Sequence, residues 1–242
     1  MSHRFFVETP IAGSTARLVD AEAQHLSRVM RASVGDEVTL FDGSGAEFIG
    51  RVQKLEKAGV LLEVIQRQEI SRELPFDLTL AVALPKGDRQ KWLVEKATEL
   101  GVTRLVPLIT QRGVAQPVEQ ALERLARQSI EAAKQCGRNW LLQVAEPRAA
   151  EEYFAAEKIA SPNSSTWIAH PGGVFPATLG WTSAASGAGR AALTIAIGPE
   201  GGFTDEEVAS ALAANWQKVS LGERILRIET AALALAAWAG LQ

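Results

Sequence analysis

Two patterns of hydrophobic and polar positions divide the chain. Up to about residue 68, short runs that alternate apolar and polar residues are separated by turn residues, a pattern typical of half-buried β-strands. One helix over residues 21–30, capped by Asp20, is predicted to interrupt these strands. The pattern predicts a small β-barrel-like domain, whose clearest strands cover residues 37–41, 46–52 and 59–65.

Beyond a polar linker that ends in Pro75, apolar runs alternate with segments of helical periodicity. Asp88 is predicted to cap the first helix, and Gly101 is predicted to end it in a left-handed conformation. Gly137 is predicted to end the second helix. This alternation predicts α/β layers around a mostly parallel sheet. The predicted strands cover 78–84, 102–108, 166–169, 193–197 and 219–221; the predicted helices cover 89–100 and a stretch from Pro117 or Val118 to about 135.

Three glycine-containing segments follow the last three predicted strands. We refer to them as the 170 segment (residues 170–173), the 198 loop (residues 198–203) and the 221 loop (residues 221–226). Ligands of open α/β sheets bind at the carboxyl ends of strands, and glycine lets a ligand approach the main chain closely. Each segment alone is compatible with an ordinary turn, but three at one edge of a sheet predict a small-molecule site.

A carboxylate in the 198 loop indicates the charge of the ligand. Phosphate cradles offer bare backbone N–H groups and often a lysine, whereas this loop contains Glu200. A polar or cationic small molecule therefore fits better than a phosphate. The alternative role of Glu200 is a salt bridge to a loop arginine such as Arg224. The loop is followed by a predicted capping box from Thr204 to Glu207.

Composition and charge set broader limits. With 47% apolar residues, 22% charged residues and a net charge of −3, the chain has an ordinary globular composition and is not a globally basic nucleic-acid binder. Residues 76–140 nevertheless carry ten basic and seven acidic side chains, which is compatible with a local polyanion-binding face or with solvated helix surfaces. Four loop arginines suit contacts to phosphate or to a developing anion, or are plain surface residues: Arg112, Arg138, Arg224 and Arg227.

Cysteine and histidine usage indicates the compartment and argues against a metal. The single cysteine, Cys136, excludes an internal disulfide and suggests a reducing environment. The three histidines lack metal-ligand spacing. The first residues lack the apolar core of a signal peptide, and the longest apolar run, 231–241, is far shorter than the roughly 20 residues that span a bilayer. We expect a cytoplasmic protein without metal or membrane association.

The glycine loops and their surroundings resemble a known family. The sequences GPEGGF and LGERILRIETA, at 198–203 and 221–231, are similar to the signature of the bacterial ribosomal small subunit methyltransferase E family of the SPOUT superfamily of knotted methyltransferases. The likeness covers nearly the whole chain in the right order. Further similar segments are RFF at 4–6, HLSRVMR at 25–31, GD at 35–36, KGDR at 86–89, EKATELGV at 95–102 and EAAKQCGR at 131–138.

This resemblance implies a fold and an activity. The fold would be a PUA-like, RNA-binding β-barrel over residues 1–72, followed by a SPOUT-type α/β methyltransferase domain over residues 75–242 with a C-terminal trefoil knot. The activity would be S-adenosylmethionine-dependent methylation of N3 of one uridine in 16S ribosomal RNA of the small subunit, by a homodimer. Because knots are rare, the pattern of residues alone does not predict one.

The resemblance also implies roles for individual residues. Because uracil N3 must lose its proton, Glu200 is the candidate base, and Arg138 and Arg227 are candidates for stabilising the negative base. The implied donor-binding residues are His170, Pro171, Gly172, Ile197, Gly198, Pro199, Gly201, Gly202, Leu221, Gly222, Ile225 and Leu226. The implied RNA-binding residues are Arg4, Arg28, Arg31, Lys86, Arg89, Arg112 and Arg138.

The chain departs from the family pattern near Arg112, which is followed by Gly113 where the family has serine, and residues 115–125 contain few basic side chains. These departures concern RNA contact rather than donor binding. Two alternatives stay open: a related knotted enzyme that methylates another nucleotide or a ribose 2′-hydroxyl, and a non-catalytic RNA-binding module. A phosphate-binding nucleotide protein is disfavoured by Glu200.

Overall fold

The computed structural model describes residues 3–114, 118–160, 164–181 and 190–241. The chain forms two compact units. The first ends at Glu73 and also includes Ile130–Leu141, and the second comprises Leu74–Ser129 and the chain from Leu142 onward.

The first unit contains a five-stranded, mostly antiparallel sheet. Its spatial order is β1-β3-β4-β5-β2, and only the β1–β3 pair is parallel within the described residues. Inward-facing apolar residues such as Phe5, Leu40 and Leu62 are fully buried and form a core of their own. The strands are β1 (Arg4–Phe6), β2 (Thr15–Leu18), β3 (Glu37–Phe41), β4 (Glu47–Glu56) and β5 (Gly59–Gln68).

The helix predicted within this unit differs from the expectation. An α-helical turn, α1 (Asp20–Gln24), continues as a π-helical turn, His25–Val29. Asp20 does not cap it: the residue before the helix is Val19, no side-chain cap is present, and Asp20 itself has φ 44°. The capping prediction is therefore wrong, because Asp20 occupies the first helical position instead of preceding it.

The second unit is built on a parallel sheet of order β12-β10-β11-β6-β7-β8, with β9 also paired to β7. The strands are β6 (Asp77–Val82), β7 (Arg104–Ile109), β8 (Gln143–Val144), β9 (Arg148–Ala149), β10 (Ser164–Val174), β11 (Ala192–Ile197) and β12 (Gln217–Val219). The helices are α2 (Arg89–Glu99), α3 (Glu119–Cys136), which continues into the first unit, α4 (Ala150–Ala160), α5 (Asp205–Ala213) and α6 (Ile228–Gly240), and Pro176–Leu179 forms a 3₁₀ turn.

Helices cover both faces of this sheet, which explains its nearly continuous apolar strands. Along β6, Leu80 and Val82 join the core that contains α2 and α6, whereas Ala81 between them joins the core that contains α4 and α5. From β6, the chain adds β7 and β8 on one side, and β11 with its neighbours lies on the other. Such a change of direction places a ligand crevice at the carboxyl ends of the strands.

Most predicted elements are confirmed, with shifted ends. Gly101 and Gly137 both have φ +83° and end their helices as predicted. Asp88 occupies the N-cap position of α2 but makes no capping hydrogen bond. The second helix begins at Glu119 in the structure, and Pro117, the alternative start, lies outside the described residues.

The 170 segment is the largest departure, because it lies within strand β10 instead of forming a loop. The pairing of β10 with β12 shifts in register between Ala169 and Val174, so the segment forms an irregularity in the strand. Gly173 is required there, since a Cβ on it would lie 2.5 Å from the backbone carbon of Val219. Among the described helices, none is long and apolar enough to cross a membrane.

Candidate functional site

A cavity of about 270 Å³ opens at the carboxyl ends of β10, β11 and β12. The end of β10, the 198 loop and the 221 loop form three of its sides. The remaining wall comes from apolar residues of α6, with Ile228, Ala231 and Leu235 on the lining. Three chain segments that are far apart in sequence therefore meet at one edge of the sheet.

The structure brings together the residues that the sequence selected for a ligand site. Every predicted donor-binding residue except Gly172 lines this cavity: His170, Pro171, Ile197, Gly198, Pro199, Gly201, Gly202, Leu221, Gly222, Ile225 and Leu226. Their binding of a methyl donor stays a prediction. Sequence reasoning missed the α6 contribution, although Ala231 and Leu235 are four residues apart and so share one helix face.

The 198 loop is a tight turn whose glycines serve different purposes. The N–H of Gly202 donates to the carbonyl of Pro199 at 2.8 Å, and Gly202 has φ +70°, which favours glycine. A Cβ on Gly198 would lie 3.0 Å from the ring of Phe203. That ring is buried and packs edge-on against Phe154. The loop is therefore anchored in the core at its end and open to solvent in its middle.

Glu200 lines the cavity and forms a salt bridge, but not with Arg224. Its carboxylate Oε1 lies 3.3 Å from Nη2 of Arg89, and the Glu200 side chain is 50% exposed. Nη1 of the same guanidinium lies 3.6 Å from Oε1 of Glu229, in the first turn of α6. Glu229 is buried, and its second oxygen has no hydrogen-bond partner among the described residues.

Arg112 contacts the 198 loop from the segment after β7. Its Nη1 donates to the carbonyl of Gly201 at 2.9 Å and to that of Phe203 at 3.3 Å. The adjacent Gln111 N–H donates to Oε1 of Glu207 at 2.9 Å. The predicted capping box is present, since Thr204 and Glu207 exchange hydrogen bonds. The segment after β7 is thus connected to both the 198 loop and α5.

His170 presents a defined tautomer to the cavity. Its Nδ1 accepts a hydrogen bond from the N–H of Gly172 at 3.0 Å, so the neutral ring carries its proton on Nε2. Partial burial lowers the pKa of His170 below its usual value, with a smaller contribution from Lys218, while Asp205 opposes the shift. At neutral pH the ring is uncharged and offers one N–H donor.

Two predicted catalytic arginines do not line the cavity. Arg138 is 3% exposed in the first unit, where its guanidinium forms an ion pair with Glu73, including an Nε–Oε1 distance of 3.0 Å. Arg227 is the N-cap residue of α6 and is exposed, so its charge is solvated. Their catalytic roles stay predictions.

The other predicted RNA contacts fall into two groups. Arg28, Arg31 and Lys86 are exposed. Arg4 is largely buried in the first unit, where it pairs with Glu47 and donates to Oδ1 of Asn139 at 2.7 Å. RNA binding by these residues stays a prediction. Within the part of the chain that the structure describes, no group of histidine, cysteine and carboxylate side chains could hold a metal ion.

Comparisons with known proteins match nearly the whole chain. The family model described as RNA methyltransferase domain matches residues 72–240, and the model described as RNA methyltransferase PUA domain matches residues 18–65. Ribosomal RNA small subunit methyltransferase E of Synechocystis sp. is 37% identical over 96% of this chain and 75% of its own length. The Bacillus subtilis protein of the same name is 31% identical over 90% of this chain and 87% of its own length.

A solved structure extends this similarity to three dimensions. The crystal structure of a ribosomal RNA small subunit methyltransferase E from Neisseria gonorrhoeae, bound to S-adenosyl methionine, has a TM-score of 0.86 and 32% identity. The similarity covers 98% of this chain and 96% of that one.

Proposed function

Because the chain belongs to the ribosomal RNA small subunit methyltransferase E family, we propose that it transfers a methyl group from S-adenosylmethionine to N3 of one uridine in 16S ribosomal RNA. The observation that carries the proposal is the meeting of the two glycine loops and the end of β10 at one cavity. A relative that aligns with 98% of the chain was crystallised with S-adenosyl methionine.

The chemistry of the cavity lining suits S-adenosylmethionine. The cavity volume of about 270 Å³ is close to the lower end of small-ligand pockets, and its walls are mostly apolar, as an adenosine group requires. Glu200 and Glu223 supply two negative charges and Arg224 one positive charge, and within the described residues no lysine lines the cavity. The space where Gly202 and Gly222 would carry a Cβ is open in each case, so a ligand can approach both backbones.

The residues of the chain would prepare the uridine for attack. When bound, S-adenosylmethionine supplies a methyl group activated by a positively charged sulfur. Uracil N3 carries a proton at neutral pH, and we assign its removal to Glu200, whose half-exposed carboxylate at the cavity wall can be reached from solution. We assign the stabilisation of negative charge on the base to Arg227, which is exposed at the start of α6. Arg138 remains a second candidate, although its ion pair with Glu73 supplies a structural role.

A labelling experiment tests the proposal. Small ribosomal subunits from cells that lack the protein are incubated with the purified protein and S-adenosylmethionine carrying an isotopically labelled methyl group, and the 16S RNA is mapped by mass spectrometry. We expect the label at one 3-methyluridine. Label on a ribose or on another base would assign the chain to a different knotted methyltransferase activity. No label, together with no saturable donor binding in calorimetry, would indicate a non-catalytic RNA-binding module.

The family also suggests an assembly and a topology. We infer that the active protein is a homodimer, that the chain through the glycine loops forms a trefoil knot, and that exposed basic residues such as Arg28, Arg31 and Lys86 contact the RNA. The match of residues 18–65 to a PUA domain of RNA methyltransferases supports the RNA-binding assignment. Sedimentation equilibrium checks the assembly: the expected mass is twice that of one chain, and a monomer at micromolar concentration would contradict it.

A further inference from the structure

Two arginines contact the 198 loop from different sides, although the sequence suggested them as RNA contacts. Arg112 approaches from the segment that follows β7. Arg89 approaches from the first residue of α2. Both arginines are far from the loop in sequence. They connect the loop to α2 and to the segment after β7, neither of which lines the cavity.

The contact of Arg112 fixes the backbone on both sides of Gly202. Its Nη1 donates to the carbonyls of Gly201 and Phe203, at 2.9 and 3.3 Å. These two carbonyls lie on either side of Gly202, whose φ of +70° is in the left-handed region. A charged donor shared by two carbonyls holds their relative orientation and so selects one conformation of the turn.

The contact of Arg89 connects the loop to α6. Its guanidinium lies between Glu200 of the loop and Glu229 of α6, at 3.3 and 3.6 Å. Glu229 is 5% exposed, so its carboxylate requires this positive charge as a partner. One guanidinium therefore compensates a buried charge and fixes the side chain that we assign as the base.

We propose that Arg112 and Arg89 are positioning residues of the donor site, which hold the 198 loop in its ligand-binding conformation before the ligand arrives. The inference rests on the proposed function only in naming S-adenosylmethionine as the ligand. Ordering a loop in advance removes part of the entropic cost of binding, so loss of these contacts lowers donor affinity. RNA affinity does not depend on them beyond the effect of one positive charge.

The principal test replaces Arg112 with methionine and uses Arg127→Met as the matched control. Arg127 is exposed on α3, and its contact to Glu123 within that helix is 3.7 Å long, so both variants remove one positive charge. We expect Arg112→Met to raise the Kd of S-adenosylmethionine about tenfold in calorimetry, from the loss of two hydrogen bonds, and Arg127→Met to leave it unchanged. Arg112→Lys should recover part of the affinity, because an ammonium group can donate to both carbonyls.

Two further measurements separate positioning from RNA contact and from general destabilisation. In the donor-free protein, the amides of residues 201–204 should exchange hydrogen faster in Arg112→Met than in Arg127→Met, while the melting temperatures of both variants stay close to that of the unaltered protein. The affinity for a 16S RNA fragment without donor should fall equally in both variants, since both lose one charge.

Either of two results would overturn the inference: amide exchange in the loop that does not change in Arg112→Met, or an unchanged donor Kd with RNA affinity reduced more than in Arg127→Met. Because amide exchange is measured without donor, it tests the positioning role of Arg112 even if the unaltered protein binds no S-adenosylmethionine. Absence of donor binding would count against the proposed function alone.

Arg89 needs a paired design, because removing it alone leaves the buried charge of Glu229 without its partner. The double variant Arg89→Met/Glu229→Gln removes both charges and should fold. We expect it to raise the donor Kd about threefold, the range of a partly exposed ion pair. Glu229→Gln alone keeps the contact between Arg89 and Glu200 and should bind the donor like the unaltered protein. Equal affinities of the double and single variants would exclude a positioning role for Arg89.

Discussion

At the scale of single residues, His170 shows how a protonation state can suit a cationic ligand. Its Nδ1 is occupied by the N–H of Gly172, and burial lowers the pKa of the ring below its usual value. The imidazole is therefore neutral at pH 7 and adds no positive charge to a cavity proposed to bind a sulfonium. The lowered pKa follows from partial burial, and the tautomer follows from a backbone contact two residues away; the sequence alone reveals neither.

Donor affinity should consequently fall in acid. Because the pKa of His170 is lowered, protonation occurs below pH 6.5; the imidazolium then loses the hydrogen bond from Gly172 and repels the positive sulfur. We expect the Kd of S-adenosylmethionine to rise about threefold between pH 7 and pH 5.5 by calorimetry. In His170→Gln this pH dependence should be largely absent, and its persistence there would assign the titration to another group.

Adjacent glycines of the 198 loop should respond differently to alanine. Gly202 has φ +70°, which costs an alanine about 1–2 kcal/mol. The φ of Gly201 lies outside the left-handed region, and a Cβ there would meet Cδ and Cβ of Arg112 at ordinary distances of 3.5 and 3.7 Å. Gly202→Ala should shift the turn and raise the donor Kd about tenfold. Gly201→Ala should change it less than twofold. Similar effects of both substitutions on the donor Kd, measured by calorimetry, would show that donor binding depends on the added side-chain volume and not on the backbone conformation of Gly202.

At the scale of elements, Glu207 connects three parts of the second unit. Its side chain accepts from the N–H of Thr204 at 2.8 Å, as part of the capping box, and from the N–H of Gln111 at 2.9 Å. The carboxylate is 1% exposed. The sequence correctly predicted the local half of this arrangement, because a capping box lies within four consecutive residues. The hydrogen bond from Gln111 to Glu207 joins residues 96 positions apart, so no local sequence pattern predicts it.

Removing Glu207 should therefore cost more than removing the cap residue. Thr204→Ala loses one capping bond and is expected to lower the free energy of unfolding by about 1 kcal/mol. Glu207→Ala leaves two N–H groups without their acceptor and should cost about 2–4 kcal/mol. Urea unfolding measures both, with the exposed Glu206→Gln as a control that should stay within about 0.5 kcal/mol. A smaller loss for Glu207→Ala than for Thr204→Ala would mean that water replaces the carboxylate.

Helices and strands could be predicted where the sequence patterns that specify them are local. Helix ends at Gly101 and Gly137 follow from glycine chemistry, and the parallel α/β layers follow from alternating periodicity. The 170 segment was predicted as a loop because its proline and glycines are turn residues. Its continuation as part of β10 depends on Val219, a neighbour on another strand whose backbone approaches Gly173 closely. Pairing of that kind is decided by tertiary contacts, which override local preference.

At the scale of the whole molecule, the resemblance in the loops extended correctly to the family and to an α/β unit preceded by a PUA-type sheet. The knot and the dimer stay predictions. The structure also groups Ile130–Leu141 with the first unit, where Arg138 pairs with Glu73 across 65 positions. Consecutive segments of the sequence do not predict that grouping, because it depends on contacts between residues that are far apart in the chain.

Charge distribution over the chain predicts that its two ligands respond differently to salt. The net charge is −3, yet residues 76–140 carry ten basic and seven acidic side chains. If this region and the first unit contact the RNA through about three phosphates, the RNA Kd should rise about tenfold or more between about 50 and 200 mM KCl, because counterions are released on binding. The donor Kd, governed by short-range contacts in a small cavity, should change less than about twofold. Filter binding and calorimetry at matched salt concentrations measure the two constants.

An RNA affinity that is insensitive to salt would mean that shape and stacking, rather than basic side chains, hold the RNA. The assignment of Arg28, Arg31 and Lys86 as RNA contacts would then be wrong.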